Sequence, residues 1–177
     1  KGGTSLRAVE TEASQILARF QGRLATSRVL STCRSVKSAV RTHDIDAIHL
    51  AGHMRDPADE TGWHLQLRDG DLDCLGTLRR IAGNLRLAVL MACSAGANVG
   101  RSRSLEAGLP HTLIGLGTGA VVAPRRPIDD HLAASFSASF YSRLAISDDL
   151  AEAFRQGVVD LIDGPRPGAW SSRVLNG

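Results

Sequence analysis

The chain has 177 residues, of which 43% are hydrophobic, 22% charged and only 4% aromatic, with a formal net charge of +3. These values suit one soluble globular domain whose core rests on Leu, Val, Ile and Ala. No apolar run approaches the roughly 18–20 residues of a membrane span, and no secretory leader opens the chain. The basic residues are scattered rather than blocked, so composition gives little support for direct contact with nucleic acid.

Three cysteines, Cys33, Cys74 and Cys93, stand at spacings that match neither a disulfide framework nor a zinc site. That usage fits a reducing cytoplasm. A chain that starts at Lys1 reads as a fragment or a processed product of something longer. No internal repeat, low-complexity tract or linker divides it.

In chain order, apolar residues at helical spacing predict a helix from about Arg7 to Phe20. "SRVLST" reads as a short strand. "SVKSAV" reads as a helix ending near "RTHD". "DAIHLAG" is a short apolar run closed by Gly52, as expected for a buried strand. The polar stretch from Met54 to Glu60, with Pro57, reads as a loop. "GWHLQLRDGDL" alternates and predicts a hairpin turning at Asp69-Gly70. "CLGTLRRIAG" predicts a short helix stopped by Gly83.

"LRLAVLMAC" is a second buried strand, and "CSAGANVGRSRS" continues as a loop of small and polar residues. "LEAGLPHTLIGLG" is mainly helical, and "GAVVAP" is a third short strand stopped by Pro124. "DDHLAASFSASFYSRLA" and "SDDLAEAFRQGVVDLI" are helices that open on acidic residues, which favour a helix N-terminus. The tail "GAWSSRVLNG" is expected to add an edge strand. Short apolar strands alternating with helices predict an α/β fold with a mainly parallel sheet.

Sites in such sheets form beyond the carboxyl ends of the strands. His53 and Cys93 each follow an apolar run, forty residues apart. A single Cys after an apolar run is ordinarily a packing residue, and a single His at a strand end is ordinarily a loop residue. Paired at equivalent strand ends, they suit a thiol nucleophile and the imidazole that takes its proton. Cys93-Ser94-Ala95-Gly96 has the small side chains that let a substrate carbonyl approach. The backbone N–H groups at Cys93 and just after His53 are then placed for an oxyanion.

Other candidates are weaker. His49 and His53, on a strand-to-loop segment without a neighbouring Glu, do not form the helical metal pair of "HExxH". Asp56, Asp59 and Glu60 follow His53 and border it in sequence, but loop acids are ordinarily solvated. Asp129 and Asp130 read as helix N-terminal caps. Cys33 and Cys74 read as packing residues, and His64 and His111 stand alone. Neither a GxSxG elbow nor a phosphate loop is present.

"AIHLAGH" and "VLMACSAG" together resemble the CHAT domain, a caspase-like cysteine peptidase family with separase relatives. The resemblance continues through "LRAVETEA", "LQLRDGDL", "GTGAVVA", "PIDDHLAASFSASFYSRL", "LAEAFRQG" and "WSSRVLNG", in order and over nearly all of residues 1–177. It implies a caspase-like three-layer α/β/α sandwich, the catalytic part of a longer protein, and no cofactor or metal. It implies Cys93 as nucleophile, His53 as general base and acid, and the N–H groups of Met54 and Cys93 as oxyanion hole.

Met54 stands where the family usually has Gly, and Arg126 where many members have Trp before "P-x-D-D". By strand alternation Met91 shares a side with Cys93, where relatives line the pocket for the residue before the cut. Arg125 and Arg126 would favour an acidic residue there if one points in; as a solvated loop pair they would not. The resemblance implies a protein substrate, a regulatory N-terminal region or partner, and cleavage in bacterial defence or cell death. The rival reading is a pseudoprotease that binds a partner with the same cleft.

Overall fold

A computed structural model describes residues 5–20, 27–55, 63–93, 109–124 and 128–163. In chain order the helices are α1 (Ser5–Arg19), α2 (Cys33–Thr42), α3 (Cys74–Leu78), α4 (Leu109–Gly115), α5 (Asp130–Ser147) and α6 (Leu150–Asp163). The strands are β1 (Ala47–Arg55), β2 (His64–Leu67), β3 (Gly70–Asp73), β4 (Leu87–Cys93) and β5 (Val121–Val122), and a 3₁₀ turn spans Ala82–Asn84. The chain clusters into two compact units, one of α1, α5 and α6, the other running from Leu30 to Ile128.

The second unit holds a five-stranded sheet in the order β3-β2-β1-β4-β5. Its centre is parallel: β1 pairs with β4 over seven positions, and β4 with β5. The β2–β3 hairpin extends it with antiparallel strands. This is the α/β fold that alternating strands and helices predict. Because strand side chains alternate, one set of positions faces the core. Ile48, Leu50 and Met54 of β1, Ala88 and Leu90 of β4, and Val121 share that core with Leu65 and Leu72 of the hairpin. Val36 and Val40 of α2, Leu78 of α3, and Leu109 and Leu113 of α4 close it. Each fully buried Leu or Val contributes about 1.5–3 kcal/mol relative to exposure.

The hairpin does more than extend the sheet. Its turn residues are Arg68 and Asp69, because Leu67 pairs with Gly70, so the expected Asp69-Gly70 turn lies one residue earlier. The positive φ (134°) falls on Gly70, where β3 resumes, a conformation that favours glycine. Asp69 is thereby released to cap α2. Its carboxylate accepts the Cys33 N–H at 2.5 Å and the Arg34 N–H at 3.3 Å. Thr32 Oγ1 accepts the Ser35 N–H at 3.1 Å, and Ser35 returns a contact to the Thr32 N–H. Every N–H of the first turn of α2 therefore has an acceptor, which answers the usual deficit of a helix start.

Three expectations change. "SRVLST" forms no strand. The Ser31 carbonyl accepts the Arg68 N–H and Thr32 serves as N-cap, so the segment has one backbone tie to the hairpin and no ladder. The helix in "CLGTLRRIAG" stops at Leu78, and Gly83 sits inside the 3₁₀ turn rather than ending a helix. The chain does not enter a loop at Met54, because β1 runs on through Arg55 and pairs with Leu65 and His64 of β2. The proposed tail strand lies outside the described residues.

In the first unit, α5 and α6 form a helical hairpin across Asp148-Asp149, with Asp148 in the left-handed region (φ 53°). Asp129 caps α5 by accepting the His131 N–H at 2.8 Å, as the acidic start predicts. Phe136 stacks on Phe140 and meets Phe154 edge-on. Phe20, just after α1, meets Tyr141 edge-on at 5.8 Å. Burial, and after it the charge of Glu12, pushes the Tyr141 hydroxyl's pKa upward. Gly157 makes the close approach of α6 possible, since a Cβ there would lie 2.8 Å from Phe136 Cε2.

Two predictions follow from this packing. Gly157→Val overpacks the α5–α6 contact against the buried Phe136 ring, and chemical denaturation should show a loss of about 1–3 kcal/mol. Asp69 is held below the ordinary carboxylate range, first by the Cys33 N–H. A depressed folded pKa means stability that is present above the unfolded value, about 3.9, and is lost as pH falls through the folded value. Asp69→Asn should therefore melt below wild type at neutral pH, with the difference closing below about pH 4. A gap that persists unchanged into acid would contradict this reading.

Candidate active site

The parallel ladder between β1 and β4 runs from Ala47 opposite Leu87 to His53 opposite Cys93. Neighbouring strands lie about 4.8 Å apart. The two residues singled out by sequence are thus adjacent at the carboxyl end of the parallel centre, where sites in α/β sheets form. Cys93 is the last residue of β4, whereas β1 continues two residues past His53.

Gly52 precedes His53 with φ +136°, a conformation that L side chains rarely adopt. It sits on the core side of the pleat, where an added Cβ would touch Leu65 Cδ1 at 3.4 Å. Met54, the next residue on that side, is 7% exposed and belongs to the hydrophobic core. The side chain that replaces the family's usual Gly is thus packed into the core, away from the pleat face of position 53. His53 is half-buried on the opposite face, and its Nδ1 is buried with no hydrogen-bond partner among the described residues. An imidazole nitrogen so placed is open to a proton donor or acceptor brought by other groups.

Met91 pairs with Ala51, two positions before Cys93, and is 5% exposed. It lies outside the core cluster, as does the fully buried Val89, which places both on the pleat face of position 53. Met91 is therefore buried on the pleat face that carries His53. Arg125, Arg126, the Ser94–Gly96 segment and the acids Asp56, Asp59 and Glu60 lie outside the described residues.

The remaining candidates have structural places. Cys74 is fully buried, its Sγ donates to the Leu72 carbonyl at 3.6 Å, and burial pushes its thiol up to about 12. A thiol so protonated is a packing residue. Cys33 packs against the same core at the first turn of α2, and its pKa is raised by burial and then by Asp69. His64 stands on β2 opposite Asp73, and His111 is exposed on α4. Among the described residues, no group of three or more His, Cys, Asp or Glu could hold a metal ion. No described helix is long and apolar enough to cross a membrane.

Sequence reading marked Gly52 only as the end of a strand. The available signal was a glycine inside an apolar run next to a chemistry-bearing side chain, which marks a special backbone position. No curated protein is significantly similar to the chain. The family model described as CHAT domain matches residues 3–177. Together with the α/β sheet and the paired strand ends, that match shows that this chain belongs to the CHAT domain family, a family related to the caspase-like cysteine peptidases.

Proposed function

We propose that the chain is the core of a cytoplasmic cysteine endopeptidase that uses a Cys93–His53 dyad to cut a specific protein substrate. The observation that carries this reading is the register of His53 with Cys93 across adjacent parallel strands. Family membership supports it. Cys93 attacks the scissile carbonyl as thiolate, with its proton held by His53. The N–H groups of Cys93 and Met54 receive the developing oxyanion. The tetrahedral intermediate collapses to a thioester as His53 protonates the leaving amine. Water, deprotonated by His53, then hydrolyses the thioester and restores the thiol.

Met91, Arg125 and Arg126 border the pocket for the residue before the cut, leaving it between an apolar and an acidic preference. A regulatory N-terminal region or a partner protein controls access, in bacterial defence or programmed cell death. The biological role rests on family likeness.

Peptides bearing a thiol-reactive group test the chemistry. Cys93→Ala should abolish labelling, and His53→Ala should slow it by about 10²–10⁴. Absence of labelling and cleavage in the full-length protein, with partner binding unaffected by Cys93→Ala, would instead establish a pseudoprotease. A cleavage screen on peptide libraries reads the pocket. An acidic preference unchanged in Arg125→Ala and Arg126→Ala would remove both arginines from it.

A further inference from the structure

We infer that Gly52 is a positioning residue for the dyad, its backbone conformation aiming His53 at Cys93; this rests on the cysteine peptidase reading. Two constraints act on one short segment. Residues 47–53 of β1 are held in register with β4, and residues 54–55 are held antiparallel to β2. Met54 is buried in the core on one face, so its side chain anchors the chain immediately after His53.

Gly52 joins these constraints with φ +136°. An L residue at this position would be driven toward negative φ, which turns the peptide between residues 51 and 52. The ladder with β4 ends at His53 and Met54 is fixed in the core, so a turn at Gly52 falls on the last paired position, where it tilts His53 against Cys93. The space around Gly52 is not the constraint, since the nearest contact of an added Cβ, Leu65 Cδ1 at 3.4 Å, is ordinary. The glycine is needed for its conformation, and that conformation is spent on the residue that bears the imidazole.

The hairpin supplies a matched control. Gly70 has nearly the same φ, +134°, and an added Cβ there would meet nothing within 4 Å. Gly70→Ala therefore imposes the same backbone strain away from the strand ends that carry His53 and Cys93.

The test measures alkylation of Cys93 by iodoacetamide against pH in the full chain, read by mass spectrometry of the Cys93 peptide, with circular dichroism on each variant. In wild type, a dyad gives a midpoint below the free-thiol value of about 8.5, and His53→Ala moves it up to that value. Gly52→Ala should keep the fold, move the midpoint most of the way toward the His53→Ala value and slow peptide-probe labelling by about tenfold or more. Gly70→Ala should lose comparable thermal stability and keep the wild-type midpoint.

A wild-type midpoint in Gly52→Ala would overturn the inference while leaving the peptidase reading intact. So would equal shifts in Gly52→Ala and Gly70→Ala. A Gly52→Ala chain that fails to fold where Gly70→Ala folds would also overturn it, by giving Gly52 a role in the fold rather than in aiming the imidazole. A wild-type midpoint that His53→Ala does not move would sink the peptidase reading itself.

Discussion

The parallel pairing of β1 with β4 is the constraint on which the rest depends. Seven positions in register bring together two residues forty apart in sequence, and no local feature of either segment could do so. A slip of one residue would reverse which side chains face the core. It would turn Ile48 and Leu50 away from the core cluster and turn His49 and His53 into it. The hydrophobic pattern therefore fixes the chemistry's geometry: the core on one face specifies the register, and the register specifies which residue stands opposite Cys93.

The same division of faces explains the tolerance of Met at position 54. A side chain there enters the core with Leu65 and Leu72, so the departure from the family's usual Gly adds packing on one face. A backbone N–H is present at position 54 whichever of the two residues stands there. Gly52 is the less replaceable neighbour, because no other residue takes its conformation without strain. The hairpin stabilises the arrangement from the side. Leu65 packs under β1, while Asp69 fastens the turn to α2, so strand and helix share one anchor.

Much of this was legible in sequence because apolar runs and their punctuation are local. "DAIHLAG" and "LRLAVLMAC" announced buried strands, the two late helices announced their acidic starts, and Asp129 caps as its position suggests. What the residues alone did not show were facts about partners. Ser27–Ser31 has strand-like composition but, among the described residues, no neighbouring strand to form a ladder. β1 outlasts its apolar run because β2 is there to pair with Met54 and Arg55. The hairpin turn lies one residue earlier than expected, and Asp69 within it serves a helix thirty-five residues away in sequence. That His53 and Cys93 belong to adjacent strands was likewise an expectation conditional on topology, and the ladder supplies it.

A covalent bridge measures the adjacency of His53 and Cys93 most directly. In-register neighbours about 4.8 Å apart fall within the Cα separation that two joined thiols accept. A His53→Cys variant in a Cys33→Ser background, treated with dibromobimane, should yield one fluorescent product bridging the peptides that carry residues 53 and 93. Cys93 and the introduced thiol each modified singly, with no bridged pair, would show that the two strands do not meet in this register.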